Sequence, residues 1–203
     1  MYNANDLKEV LHLIPAKSQG FAQDLLKADK GYGLSEKQAY WVNKLVGQVK
    51  TPAPAPRTVG NILSIIGMFA HAKEAGKKLP VIRLNGFKLS LANDASKNAG
   101  CVYVKDEHNM YVGKITPAGE LICLRELGES LKDSAAAAIT TFAADPLGAA
   151  KAYGQSYHSC CFCGIKLTDK KAGGSIEMGY GPICAEKFGL AHSGKARFQA
   201  EAA

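Results

Sequence analysis

An α+β fold is predicted, on three observations. Residues 5–49 repeat apolar side chains at helical spacing, residues 81–124 alternate apolar and polar side chains around turn dipeptides, and residues 159–190 crowd four of the six cysteines into a glycine-rich stretch. The corresponding parts are N-terminal helices, a small antiparallel sheet of about four or five strands, and a compact C-terminal module built on cysteines.

The N-terminal segment, residues 1–50, reads as three helices. "ANDLKEVLHLIP" sets Leu7, Val10, Leu11 and Leu13 at helical spacing before Pro15, and "AKSQGFAQDLLKADKGYG" places Phe21, Leu25 and Leu26 on one face. "LSEKQAYWVNKLVGQV" carries Ser35 as N-cap with Gln38 three residues on, a capping box, followed by a stripe of Trp41, Val42, Leu45, Val46 and Val49. Trp41 is expected as a core anchor rather than a base-stacking residue. "TPAPAPR", residues 51–57, alternates proline and alanine and reads as a semi-stiff linker.

Residues 58–128 read as a helix followed by the sheet. In "VGNILSIIGMFAHAKEAGKKL", Ile62, Ile65, Ile66 and Phe69 form the apolar face, and the lysine-bearing end suits a helix C-terminus. "VIRLNGFKLSLA" is a hairpin about Asn85-Gly86, "CVYVKDEHNMYVGKI" is two strands about a turn at 106–109, and "TPAGELICL" adds another. Cys101 and Cys123 fall in these strands and are expected in the core. Residues 129–157 turn helical again: an alanine-rich helix, then Asp145-Pro146 as N-cap and first-turn proline of a second helix that delivers the chain to the cysteines. Residues 193–203 are expected to fray.

The cysteine stretch, residues 158–192, has metal-ligand spacing. Cys160-x2-Cys163-Gly164 is a knuckle pattern, and "GYGPIC" sets Cys184 near the start of a short helix. A knuckle, an irregular hairpin and a ligand on a helix describe a treble-clef-like zinc module, with Zn2+ as the expected cofactor. The position three residues after Cys184 is Lys187, which cannot ligate. The fourth ligand is therefore open between Cys161, His192 and His158, with Cys161 preferred. Glu177 and Glu186 are the local carboxylates, and neither belongs to a catalytic zinc motif, so the metal is expected to be structural. A dithiol redox role lacks the strand and long helix of a thioredoxin-like unit.

The pattern C-x2-C-G-x-x-L-T-D, a serine, then G-x-G-P-x-C lies on Cys160, Cys163, Gly164, Leu167, Thr168, Asp169, Ser175, Gly179, Gly181, Pro182 and Cys184. In this it resembles an uncharacterised cysteine-motif domain family of bacteriophage and prophage proteins. The doubled cysteine also resembles that family, and "LSEKQAYWVNKLV" and "SKNAGCVYVKDEHNMYVGKI" are weakly similar to other segments of such proteins. The insert "DKKAGGS" is longer than the family's pattern. The resemblance implies a phage origin, a place in the cytoplasm of an infected bacterial host, and a zinc-binding module. It implies no activity.

Function classes narrow by charge and by missing motifs. The net charge of +7, with 25 Lys and Arg against 18 Asp and Glu, favours a polyanionic partner. Lys88, Lys97, Lys105 and Lys114 accompany the sheet together with Tyr103 and Tyr111, and Lys166, Lys170, Lys171 and Lys187 accompany the cysteine module. Lysines interleaved with tyrosines can track phosphates and stack bases. No Walker A, G-x-S-x-G or dinucleotide fingerprint is present, and the five histidines are scattered. The expectation is a non-enzymatic, zinc-binding protein that binds nucleic acid through a basic surface. Alternatives are a module that binds or inhibits a host or phage protein, and an enzyme with an unrecognised site. No apolar run reaches the ~18 residues of a membrane span, and the N-terminus lacks a secretory pattern, so no membrane role is expected and the thiols are expected reduced.

Overall fold

The computed structural model describes residues 1–51, 55–168 and 174–192, and resolves into two compact units, Met1–Ala53 and Pro54–Ala203. The expected frayed tail, 193–203, and the middle of the Pro/Ala segment lie outside the described residues.

The first unit holds α1 (Ala4–Val10), α2 (Ala16–Tyr32) and α3 (Glu36–Lys50). Both capping boxes form: Asn3 with Asp6 at α1, and Ser35 with Gln38 at α3. Leu7, Val10, Ile14, Ala22, Leu25, Val42, Leu45 and Val46 make the unit's core. Lys50 ties α3 back to α1 through Asp6 at 2.7 Å and Glu9 at 3.1 Å. Trp41 departs from expectation. Val42, Leu45 and Val46 already define the buried stripe at i, i+3 and i+4, so Trp41 sits about 100° round the helix from Val42 and stays 41% exposed. It stands edge-on to Phe21 and Tyr40, with Lys44 Nζ 5.0 Å from its ring centre.

The second unit is a six-stranded antiparallel sheet with helices packed on one face. In chain order its strands are β1 (Arg57–Thr58), β2 (Val81–Leu84), β3 (Phe87–Leu91), β4 (Val102–Asp106), β5 (Tyr111–Ile115) and β6 (Glu120–Cys123). Their spatial order is β1-β6-β5-β4-β3-β2. The sixth strand is β1, two residues that pair with Leu121 and Glu120 of β6. So short a strand has no period to read, and Arg57 sits at the end of the Pro/Ala segment. Its side chain bonds Asp133 and Glu129 on the helix that follows the sheet.

The helices of this unit are α4 (Leu63–Glu74), α5 (Glu129–Ala144), α6 (Pro146–Tyr157) and the short α7 (Ser175–Met178) and α8 (Pro182–Lys187). Asp145 caps α6 by accepting from the Gly148 N–H. Ile62, Ile65 and Phe69 of α4, Ile139 and Phe142 of α5, and Ile82, Leu89, Val102, Val104, Ile115 and Leu121 of the sheet join in one buried cluster, which also takes in Cys123. Alternation sends the remaining strand residues to the opposite face (Arg83, Lys88, Ser90, Tyr103, Lys105 and Lys114). Cys101 and Cys123 are buried, as expected of core thiols.

A bulge lies between Val104 and Lys105, where the register passes from Val104↔Gly113 to Lys105↔Tyr111. Residues 111 and 114 are three apart and would lie on opposite faces of a regular strand. The extra residue, Val112, buries itself beside Gly113, and both Tyr111 and Lys114 then share the face opposite the core.

α6 meets α7 through two glycines. A methyl group at Gly179 would overlap the Ala150 carbonyl, and one at Gly154 would overlap the Gly179 backbone. Gly179 also takes φ +78°, a left-handed conformation. Gly179→Ala is therefore expected to destabilise the second unit by roughly 3 kcal/mol, read as a lowered urea midpoint. An unchanged midpoint would contradict the close approach.

Lys132 is 3% exposed, with Nζ donating to Glu129 Oε1 at 2.8 Å and to the Arg125 carbonyl at 3.3 Å. Its hydrogen bond, then that of Arg57, holds the Glu129 carboxyl below its usual range. A depressed carboxylate contributes stability that is present above its unfolded pKa of ~4.3 and is lost as pH falls through the folded value. Glu129→Gln should therefore lower Tm at neutral pH, with the difference from wild type closing in the acid range below about pH 4. A Tm difference that stays constant through that range would refute the assignment.

Candidate metal centre

The chain leaves α6 at His158, whose left-handed backbone (φ 47°) ends the helix. A tight hairpin follows. Ser159 bridges Lys166, the Cys160 N–H donates to the Ile165 carbonyl at 2.9 Å, and the Gly164 N–H donates to the Cys160 carbonyl at 2.8 Å. Gly164 takes φ +78°, the conformation expected of the glycine that closes a knuckle. After Gly179 and Gly181, α8 begins at Pro182 and carries Cys184 in its first turn.

These elements bring Cys160, Cys163 and Cys184 together, with their sulfurs all within 4.8 Å of one another. Sulfurs at ~2.3 Å from one tetrahedral ion stand roughly 3.8 Å apart, so the cluster is of a size to share a metal ion. Cys160 and Cys184 are buried, and Cys163 is half-buried.

The local electrostatics suit thiolate ligands. The Cys160 thiol is lowered well below the usual thiol range, first by the hydrogen bond from the Cys184 thiol and then by backbone N–H groups of Cys163, Phe162 and Gly181. The Cys184 thiol is pushed up by that same bond, by burial and by the charge on Cys160. One thiolate is thus already solvated by N–H donors, and a cation would displace the proton that Cys184 keeps.

The doubled cysteine divides its roles. Cys161, the preferred fourth ligand, does not join the cluster. Adjacent hairpin residues point to opposite sides, and with Cys160 turned to the cluster, Cys161 is fully buried in the core shared with the sheet. Burial, then the charge on Cys160, pushes its thiol up, the opposite of a ligand's environment. Its main chain is committed too: its N–H donates to the Gly179 carbonyl at 3.0 Å, and its carbonyl accepts from the Arg83 N–H at 2.7 Å. His192 and His158 are not in the cluster either. His192 Nε2 lies 3.5 Å from Ser175 Oγ, and the exposed His158 accepts the Leu167 N–H at its carbonyl. Among the described residues no fourth ligand stands with the three sulfurs.

One further expectation changes. Over Ser175–Met178, part of the segment expected as a hairpin, the structure has the helical turn α7; residues 169–173 of that segment lie outside the described residues. Ser175–Met178 is closed by left-handed Gly179, an ending that converts a turn into a short helix. The module also packs on aromatic side chains. Phe162 stacks on Phe188 with ring centres 4.0 Å apart, Tyr180 packs beside them, and all three join the sheet's core. Arg83 of β2 completes the attachment, donating from Nη1 to the Phe162 carbonyl at 2.7 Å and lying against Gly164. A C-x2-C spacing carries no sign of this arginine.

Of the lysines expected at a nucleic-acid surface, Lys88, Lys105 and Lys114 share the sheet face opposite the core, which the described helices of the second unit leave free. Lys88 stands directly across from Lys105, and Tyr103 directly across from Lys114. Tyr103 and Tyr111 meet edge to face with ring centres 5.9 Å apart. Asn98 joins Tyr103 to Lys114, donating to the phenol at 3.0 Å and accepting from Lys114 at 2.7 Å. Lys97 is exposed in the loop before β4, and Lys166 is exposed in the knuckle hairpin. Lys170 and Lys171 lie outside the described residues. Among the described residues, no helix is long and apolar enough to cross a membrane.

Residues 150–189 match the family DUF6011, a family of unknown function. The match runs from within α6 through the knuckle and α7 to the end of α8, and so takes in all three clustered cysteines. It supports the resemblance to an uncharacterised domain family. No curated protein and no solved structure matches the chain.

Proposed function

We propose that this is a non-enzymatic, zinc-binding protein of a bacteriophage that binds single-stranded nucleic acid on the helix-free face of its sheet. The observation that carries the reading is the cross-strand pair Lys88–Lys105, with Tyr111 opposite Lys105 and Tyr103 opposite Lys114. Like charges directly opposite are destabilising, so a fold gains nothing from them without an anion to share. Interleaved tyrosines give bases a surface on which to stack. Among the described residues Lys88 bonds neutral oxygens, the Glu107 carbonyl and Asn109 Oδ1, which position its charge without cancelling it. Zinc is the metal that fits best: a thiolate-rich site on a knuckle turn suits it, and three soft ligands exclude magnesium and calcium. Its role is structural, since no histidine or carboxylate among the described residues stands in the cluster to act on a bound water.

A second reading, a protein-interaction module acting on a host or phage protein, is favoured by the exposed aromatics of the N-terminal unit, Phe21, Tyr40 and Trp41. Recovery of protein partners from host lysate with and without nuclease separates the two. Partners that survive nuclease support the second reading.

The metal assignment predicts about one equivalent of zinc by elemental analysis of the purified protein, and less than about a tenth of that in Cys160→Ser or Cys184→Ser. Cys161→Ala should retain the metal. Equal zinc in all three variants, or none in the wild type, would remove the site. The nucleic-acid assignment predicts that affinity for an oligonucleotide falls steeply with salt. Each of Lys88→Ala, Lys105→Ala and Lys114→Ala should reduce the slope of log K against log salt by roughly 0.7. An unchanged slope in all three would move the binding surface elsewhere.

A further inference from the structure

A cavity of about 420 Å³ opens between α5, α6 and the β2–β3 hairpin. Its helical walls are lined with alanines, among them Ala137 and Ala152, which leave space where longer side chains would fill it. Leu84 and Phe87 face it from the hairpin, and Tyr157 closes one side. Tyr157 is stacked on Tyr153 with ring centres 4.6 Å apart, and its hydroxyl donates to Asn85 Oδ1, so the ring is held from its face and from its tip. The lining holds no charged residue; its polar groups are hydroxyls and the Asn85 amide. Such a chamber takes a flat, neutral ring system with hydrogen-bonding edges.

A second cavity, of about 190 Å³, shares Leu84, Phe87, Tyr153 and Tyr157 with the first. Its chemistry is different, since Arg83 and Lys88 line it. Glu107 is the one acidic residue there. A neutral chamber beside a cationic one, with a tyrosine wall in common, matches the two halves of a nucleotide. Lys88 also belongs to the helix-free sheet face, where it stands across from Lys105. The cationic chamber is therefore continuous with the surface proposed to follow the phosphate backbone.

We propose that this paired cavity is a nucleotide pocket, into which one unit of a bound strand turns its base against Tyr157 while its phosphate lies between Arg83 and Lys88. The pocket rests on the nucleic-acid reading for the strand, but its own chemistry recognises a single nucleoside monophosphate. It thereby adds a site that reads one base to a sheet that only follows phosphates and stacking.

Calorimetry of the full chain tests this with three probes, adenosine 5′-monophosphate, adenosine and inorganic phosphate, alongside a twelve-residue oligothymidylate. The monophosphate is expected to bind more tightly than either half. Ala152→Trp, at an exposed helix position where a large ring fills the cavity, should weaken both the monophosphate and the oligonucleotide by about 10-fold, the scale of one lost stack. Ala137→Trp blocks the same space from α5 and guards against misfolding of the first variant. Lys88→Ala should abolish the preference for the monophosphate over adenosine. Lys105→Ala should weaken the oligonucleotide and leave the monophosphate untouched. If the oligonucleotide binds wild type and both tryptophan variants equally, the pocket is overturned and the sheet surface stands. If the wild type binds no oligonucleotide, the strand reading fails, and the pocket then stands or falls on whether the tryptophan variants lose the monophosphate.

Discussion

The main chain of Cys161 is the joint on which the second unit turns. Its carbonyl accepts from Arg83 of β2, and its N–H donates to Gly179, the residue that ends α7. β2 is the outermost strand of the sheet on that side, and its outward N–H groups would otherwise be an open edge. The knuckle covers part of that edge. Because one residue makes both bonds, the position of Cys160 and Cys163 relative to Cys184 is set by the sheet as well as by any ion. The same joint explains why two neighbouring cysteines have opposite fates. A residue bonded through both its N–H and its carbonyl has its side-chain direction fixed, and for Cys161 that direction is the core.

What the sequence disclosed and what it concealed follow physical lines. Helix termini and the tight hairpin turn were legible because their signals are local: Ser35 with Gln38, Asp145-Pro146 and Asn85-Gly86 all act within four residues of themselves. Strand faces were legible from alternation, which also put the lysines with the tyrosines. The bulge after Val104 was not, because nothing in "YVGKI" announces that one residue will be skipped, and so the meeting of Tyr111 with Lys114 on one face could not be read. The cysteine cluster was legible in its three spaced residues, and the ambiguity lay in a fourth ligand. The doubled cysteine of the family the chain resembles favoured Cys161, whereas main-chain geometry sends it the other way. Trp41 misled for a related reason. An apolar stripe of adjacent residues has more members than a small helical unit can bury, and the periodicity alone does not say which is left outside.

The sheet uses its two faces for opposed purposes. One is consumed by the core, where Ile82, Leu89, Val102, Val104 and Ile115 are inaccessible to water. The other keeps cations side by side with no neutralising carboxylate bonded to them among the described residues, Lys114 resting on Asn98 and Lys88 on a carbonyl and an amide. Elsewhere the chain does pair its charges. Lys50 has two carboxylates, Lys73 has Asp94, and Arg57 has Glu129 and Asp133. The contrast is informative because surface ion pairs contribute little stability each and could have been placed on the sheet as readily as anywhere. Cations held by neutral oxygens keep their full field available to an anion from outside.

A metal ion at the three sulfurs and the aromatic core of the module would answer different needs. Phe162, Tyr180 and Phe188 are buried with the sheet's own side chains, so apolar packing by itself holds this segment against the second unit. What packing does not hold is the knuckle turn, whose Cys163 is half-exposed and whose residues 163–166 carry few buried side chains. An ion shared by three sulfurs would act there, fixing the turn that presents the Phe162 carbonyl to Arg83. Arg83 in turn lines the cavity that holds Tyr153 and Tyr157. Loss of the ion would therefore loosen a local segment rather than unfold the sheet, and its effect would reach the cavity beside Tyr153 and Tyr157 through a single guanidinium.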